Sequence, residues 1–120
     1  MLRIQPILTA VLSAMATSAV AAPSGQDVFE QRCAVCHSVK PAPGKMGPPL
    51  AGVVGRKAGS LGGYAYSNGL KTSGITWTAE TLDAYLKAPA KTVPGTKMLV
   101  GAPDAGQRAA VIQYLASVKK

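Results

Sequence analysis

From Ser38 to Tyr66 the chain carries Pro41, Pro43, Pro48 and Pro49, interleaved with Gly44, Gly47, Gly52, Gly55, Gly59, Gly62 and Gly63. Proline removes backbone donors and glycine loses the most freedom on ordering, so this segment has little prospect of regular structure. Compact domains seldom contain so long a loop unless it is functional or disordered. Leu50, Val53, Val54, Leu61, Tyr64 and Tyr66 argue against disorder, because they give the segment apolar surface to bury. The partner for that surface is not obvious, since one Phe, one Trp and four Tyr are a thin aromatic supply for a core. A loop wrapped around a buried prosthetic group resolves the difficulty: the group itself supplies the missing apolar mass.

A second feature says which group. The chain has two cysteines and one histidine, and all three fall within "CAVCH", residues 33–37. Two cysteines cannot make the multi-bridge framework of a small disulfide-rich domain. A redox dithiol also uses C-x-x-C, at a helix start after a buried strand, but here Asp27 to Arg32 are mostly polar and read as helix. A closed zinc site needs four ligands, and a chain with no further Cys or His would have to borrow from its five carboxylates. The third reading uses every residue. Cysteines three apart share one helical face, where each thiol can add to one vinyl group of a single haem, with His37 beneath the iron. C-x-x-C-H is the signature of c-type haem attachment.

The first residues read as a targeting segment. Arg3 gives a positive start, Ile7 to Ala16 an apolar stretch, and Ala19-Val20-Ala21 an A-x-A cleavage site. The stretch is short and rich in Ala, Ser and Thr for a membrane span; an uncleaved anchor is the alternative. Residues 1–21 are therefore expected to be a secretory signal peptide, and 22–120 one domain of 99 residues. Export suits the cluster, because thioether-bonded cysteines escape the disulfide that an oxidising compartment would impose on a free pair.

The full chain carries +8, and loss of Arg3 leaves twelve Lys and Arg against five carboxylates. An exported chain without nucleic-acid motifs gives no reason to expect a nucleic-acid partner. The lysines either form a docking face for acidic proteins or keep the protein soluble.

Three helices can be read. Ser24-Gly25-Gln26-Asp27 has the form of a capping box, opening a helix that runs to about Cys33. A second starts near Thr78, aligns Leu82, Tyr85 and Leu86, and is stopped by Pro89. A third follows an Asp104 cap and carries the stripe Val111, Ile112, Leu115, Val118. Asn68-Gly69 marks a turn beside a short helix through Leu70 and Lys71. With no strand pattern, the expected class is all-α: three main helices and long Gly/Pro-rich loops wrapped around one covalently bound haem. The sixth iron position is open to Met46 or Met98, since either segment can reach the far haem face, and thioether paired with imidazole is an established axial set for electron transfer.

Several longer stretches carry a resemblance. "KMGPPLAGVVGRKAG" (residues 45–59) is similar to the K-x-G-P-x-L-x-G-x-x-G-R-x-x-G loop of mitochondrial-type class I cytochromes c. "YAYSNGLKTSGITW" (64–77) resembles that family's Tyr-rich segment, and "PGTKM" (94–98) its methionine-ligand segment. Gly25, Phe29 and Tyr114 look like the contacts where its first and last helices cross. The likeness extends over residues 25 to 118.

Position by position, the resemblance implies one haem c on Cys33 and Cys36, with His37 and Met98 as axial ligands. It implies that Pro48 offers its carbonyl to His37, that Tyr66 and Trp77 bond a propionate neutralised by Arg56, and that Tyr85 and Thr96 lie near Met98. Two positions depart from the pattern: Leu70 stands where an asparagine is common, and Val100 where mitochondrial proteins carry phenylalanine. The leader points to the periplasm of a Gram-negative bacterium. The implied function is a monomeric, soluble electron carrier, not an enzyme. It would shuttle one electron between respiratory or photosynthetic redox proteins, membrane-bound or periplasmic, that dock at a basic haem edge bearing Lys45, Lys91 and Lys97. No stable membrane insertion is expected after signal cleavage. The rivals are a haem sensor or peroxidase-like enzyme with a labile sixth ligand, and a haem-free dithiol oxidoreductase.

Overall fold

The computed structural model describes residues 1–17 and 23–120, so the expected cleavage site at Ala19-Val20-Ala21 lies outside the described residues. Residues 1–17 form no regular structure and are exposed. Among the described residues no helix is long and apolar enough to cross a membrane.

The first helix, α1 (Gly25–Val28), starts as its capping box predicts: Ser24 Oγ accepts from Asp27 N at 3.1 Å, and Asp27 Oδ2 accepts from Ser24 N at 3.3 Å. It continues as a π-helical turn over Phe29–Cys33, closed by Ala34 N donating to Phe29 O at 2.9 Å. The sequence pattern predicts the helix but not this widening. A one-turn helix, α2 (Asn68–Lys71), is capped by Ser67. The third helix, α3 (Ala79–Lys87), is capped by Thr78.

Pro89 ends α3 as expected, and it also begins a further turn, α4 (Pro89–Thr92), which the sequence reading missed. The proline ring excludes the α conformation from the residue before it, so Ala88 breaks out at φ −151°. Proline is itself well suited to a first helical position. The last helix, α5 (Ala105–Ser117), is capped by Asp104 Oδ1, which accepts from Gln107 N at 2.8 Å.

There is no strand among the described residues, only one isolated bridge between Lys57 and Thr76. The fold is all-α. α1 crosses α5 so closely that a Cβ on Gly25 would overlap the carbonyl of Ala110, and the Phe29 and Tyr114 rings meet there at 5.8 Å. α3 also packs against α5. Val28, Phe29, Leu82, Leu86, Val111, Ile112 and Leu115 are buried between them, each contributing about 1.5–3 kcal/mol.

The Gly/Pro-rich segment is tied down by single backbone bonds rather than by secondary structure. Gly47 N donates to Cys36 O at 2.8 Å, Leu50 N to Ser38 O at 2.9 Å and Ala51 N to Val39 O at 2.8 Å. Gly52, at φ +74°, turns the chain where a side chain would be strained, and donates to Val118 O at 2.8 Å beyond the end of α5. The loop is thus ordered, and it curls around a space that the helices leave open.

Candidate haem site

That space is a cavity of about 680 Å³. Val28, Leu50, Val53, Leu82, Leu86 and Val111 give it apolar walls. Cys33, Cys36, His37, Pro48, Arg56, Tyr66, Trp77, Tyr85, Thr96 and Met98 also line it, so residues up to 65 positions apart in sequence are brought together.

The π turn delivers Cys33 to the cavity. Cys36 N and His37 N then both donate to Cys33 O, at 3.1 and 2.8 Å, curling the motif into a tight turn. Neither cysteine is engaged in a disulfide. Burial pushes the Cys33 thiol up, opposed by the charge of Arg32 and reinforced by Cys36. A redox dithiol needs the opposite shift, towards thiolate, so the environment disfavours that reading. Among the described residues no group of three His, Cys, Asp or Glu is arranged to hold a metal ion, as a protein-only zinc site would need.

The His37 ring is fixed on two sides. Its Nδ1–H donates to Pro48 O at 2.8 Å, and Gly47 packs so tightly that a Cβ there would overlap the imidazole. With Nδ1 holding the proton, Nε2 keeps its lone pair. Burial lowers the imidazole pKa, with the Pro48 carbonyl pulling the other way. The ring is therefore a neutral donor near pH 7.

Met98 is held from its backbone. The hydroxyls of Tyr85 and Thr96 lie 2.6 Å apart, and Thr96 Oγ1 accepts from Met98 N at 3.3 Å. Trp77 packs against Tyr85 with ring centroids 5.0 Å apart and the planes inclined by 46°. Arg56 shapes its own loop: Nη1 donates to Pro49 O at 3.1 Å and Nη2 to Ala51 O at 2.7 Å. Burial raises the Tyr66 phenol pKa, and the nearby Arg56 charge opposes the rise.

Met46 also lines the cavity but is 72% exposed, and its carbonyl accepts from Tyr64 Oη at 2.8 Å. Leu70 and Val100, the two departures from the family pattern, are at the cavity too. Of the lysines expected at its edge, Lys97 donates to Ala65 O at 2.8 Å and Lys45 to Ala34 O at 2.6 Å. Lys91 is exposed on α4. The reading of the sequence overlooked Arg108. It stands three and four positions before Val111 and Ile112, squarely on the apolar stripe of α5, and that misplaced charge was the available signal.

The set suits a haem: an apolar cavity of sufficient volume, two cysteines on one turn with no disulfide between them, a neutral imidazole with an available lone pair and a thioether. Comparisons with known proteins agree. The cytochrome c family profile matches residues 22–119. Cytochrome c type-1 of Ascaris suum is 47% identical over 93 residues, spanning 77% of this chain and 83% of that one. Cytochrome c2 of Rhodomicrobium vannielii is 48% identical over 110 residues, 89% of this chain and 86% of the relative. Among solved structures, cytochrome cH from Methylobacterium extorquens superposes with a TM-score of 0.71 at 42% identity, covering 78% of this chain and 94% of that one. With the profile matching residues 22–119 and such relatives over most of the chain, the protein belongs to the cytochrome c family: it is an electron carrier with one haem c held covalently through Cys33 and Cys36, and it works with redox partner proteins.

Proposed function

We propose that the protein is a soluble, monomeric electron carrier of the bacterial periplasm, released by removal of residues 1–21, whose iron is held by His37 and Met98. One observation carries this reading: both side chains line the cavity that also holds the two thiols, His37 anchored by a hydrogen bond from its ring and Met98 by one from its backbone N–H. The haem supplies the one-electron couple.

The residues around it do the tuning. Pro48 fixes the His37 tautomer and strengthens the imidazole as a donor. Tyr85 and Thr96 hold the Met98 backbone from α3, and a sulfur donor favours the reduced iron. Arg56, with Tyr66 and Trp77, offers a positive charge and donors to a propionate. With His37 and Met98 both holding the iron, no coordination position would remain for a substrate, so the chemistry would be transfer rather than catalysis. Respiratory or photosynthetic partners would meet the protein at the cavity edge, near Lys45, Lys91 and Lys97.

Substitution of the two methionines tests the assignment. Met98→Ala should lower the reduction potential and open the iron to carbon monoxide, while Met46→Leu should leave both nearly unchanged. Loss of the sulfur-to-iron absorption band in Met46→Leu instead would reverse the ligand assignment. Rapid carbon monoxide binding by the unmutated ferrous protein would favour a sensor or peroxidase-like role.

A further inference from the structure

Arg108 is a buried charged residue, 6% exposed, on the inner stripe of α5. Its donors are spread over two other parts of the chain. Nε donates to Asp83 Oδ1 of α3 at 2.8 Å; Nη1 donates to Ala102 O at 3.0 Å and to Pro103 O at 2.8 Å. Those carbonyls belong to the segment that leaves Met98. The same segment touches α3 directly: Ala102 N donates to Leu86 O at 2.7 Å, and a Cβ on Gly101 would overlap that carbonyl. The segment's other end is held by Tyr85 through Thr96. Asp83, Tyr85 and Leu86 of one helix thus fix both ends of residues 96–103, and Arg108 closes the second end from outside.

We propose that Arg108 and Asp83 act as a clamp that positions Met98, setting how readily its segment swings away and an external ligand takes the sixth iron position. This inference rests on the reading of Met98 as axial ligand. An incoming ligand binds only the fraction of molecules in which Met98 has left, so its apparent affinity scales with that fraction. The fork geometry matters, because one guanidinium serves a carboxylate and two carbonyls at once, which an ammonium cannot. Shortening Arg108 leaves two carbonyls without their donor and frees the segment. Asp83 is the weaker half, since its side chain is 49% exposed and water can replace part of the ion pair. Neither residue needs to touch the iron; both are positioning residues.

The test uses the ferric holoprotein titrated with imidazole and followed by its absorption spectrum. Asp83→Asn should raise imidazole affinity about threefold and Arg108→Lys about tenfold, with Asp83→Glu restoring the parent value. Ile112→Val, a core substitution on the same helix, serves as the control for lost stability and should leave the affinity unchanged. Met98→Ala, run in parallel, should bind imidazole most tightly. If Met98→Ala rises while Asp83→Asn and Arg108→Lys match Ile112→Val, the clamp is refuted and the ligand reading stands. If Met98→Ala binds no better than the parent, the ligand reading falls and takes the clamp with it.

Discussion

The hydroxyls of Tyr85 on α3 and Thr96, two residues before Met98, lie 2.6 Å apart with both side chains buried. Tyr85→Phe leaves Thr96 Oγ1 without this partner and should cost about 1 kcal/mol, seen as a lower melting temperature. The pair also gives the protein an alkaline limit. Burial raises the Tyr85 phenol pKa, with the Thr96 hydroxyl partly opposing. The folded state therefore keeps its proton when the unfolded chain, with an ordinary value of about 10, has lost it. Stability from this group is intact below that value and falls as pH rises through it. Tyr66 is shifted the same way, so Tyr85→Phe should flatten the decline above about pH 10 only in part. Denaturant midpoints measured against pH for both proteins decide it; parallel curves would show that Tyr85 titrates normally.

Gly47 is predicted to be intolerant of any side chain. A Cβ at this position would overlap the His37 ring, and displacing that ring breaks its bond to Pro48 O. Gly47→Ala should destabilise the holoprotein by about 1–3 kcal/mol and alter the visible spectrum. A variant with unchanged spectrum and stability would mean that the ring shifts freely.

Covalent attachment can be weighed. Protein exported from cells with a cytochrome c maturation system should exceed the mass of residues 22–120 by one haem, and the haem should survive acid–organic extraction. Cys33→Ala or Cys36→Ala should each remove one thioether. Mass equal to polypeptide alone, with two free thiols, would contradict the attachment.

The excess of positive charge predicts a salt-dependent encounter with partners. Brief, small interfaces suit electron transfer, and salt screens the attraction that speeds them over about 8–10 Å. Transfer rates should fall as ionic strength rises, and Lys97→Glu should slow them more than Lys119→Glu. Because Lys97 also donates to Ala65 O, the variant's potential must first match the parent's. Rates insensitive to salt, or equal effects at both lysines, would leave the charge as a solubility feature.

The starts of the three main helices were legible because their signals are local. Ser24, Thr78 and Asp104 cap the helices they introduce, and Leu82, Tyr85 and Leu86 are buried as their spacing implies. The cluster at 33–37 was legible for the same reason: its chemistry is contained in five residues. The long loop was legible only as irregular. Its path depends on bonds between distant backbone groups, such as Gly52 N to Val118 O, which no periodicity encodes. The choice between Met46 and Met98 likewise lay beyond spacing and rested on resemblance. Arg108 escaped because a buried cation is understood only when its three acceptors, scattered from Asp83 to Pro103, are seen together.

The widened turn at Phe29–Cys33 makes this part of the chain sensitive to length. Its closing bond spans five residues rather than four, so the turn accommodates one residue more than an ordinary helix would. That extra residue lets Phe29 face Tyr114 while Cys33 reaches the cavity. Inserting one further residue between them, which the already widened turn has no room to absorb, would rotate the haem-binding motif by about 100° relative to α1. The thiols and the imidazole would swing away together, although every side chain that performs chemistry was still present. Substitution of the polar residues Glu30 and Gln31 should be easily absorbed here, whereas an added residue should not.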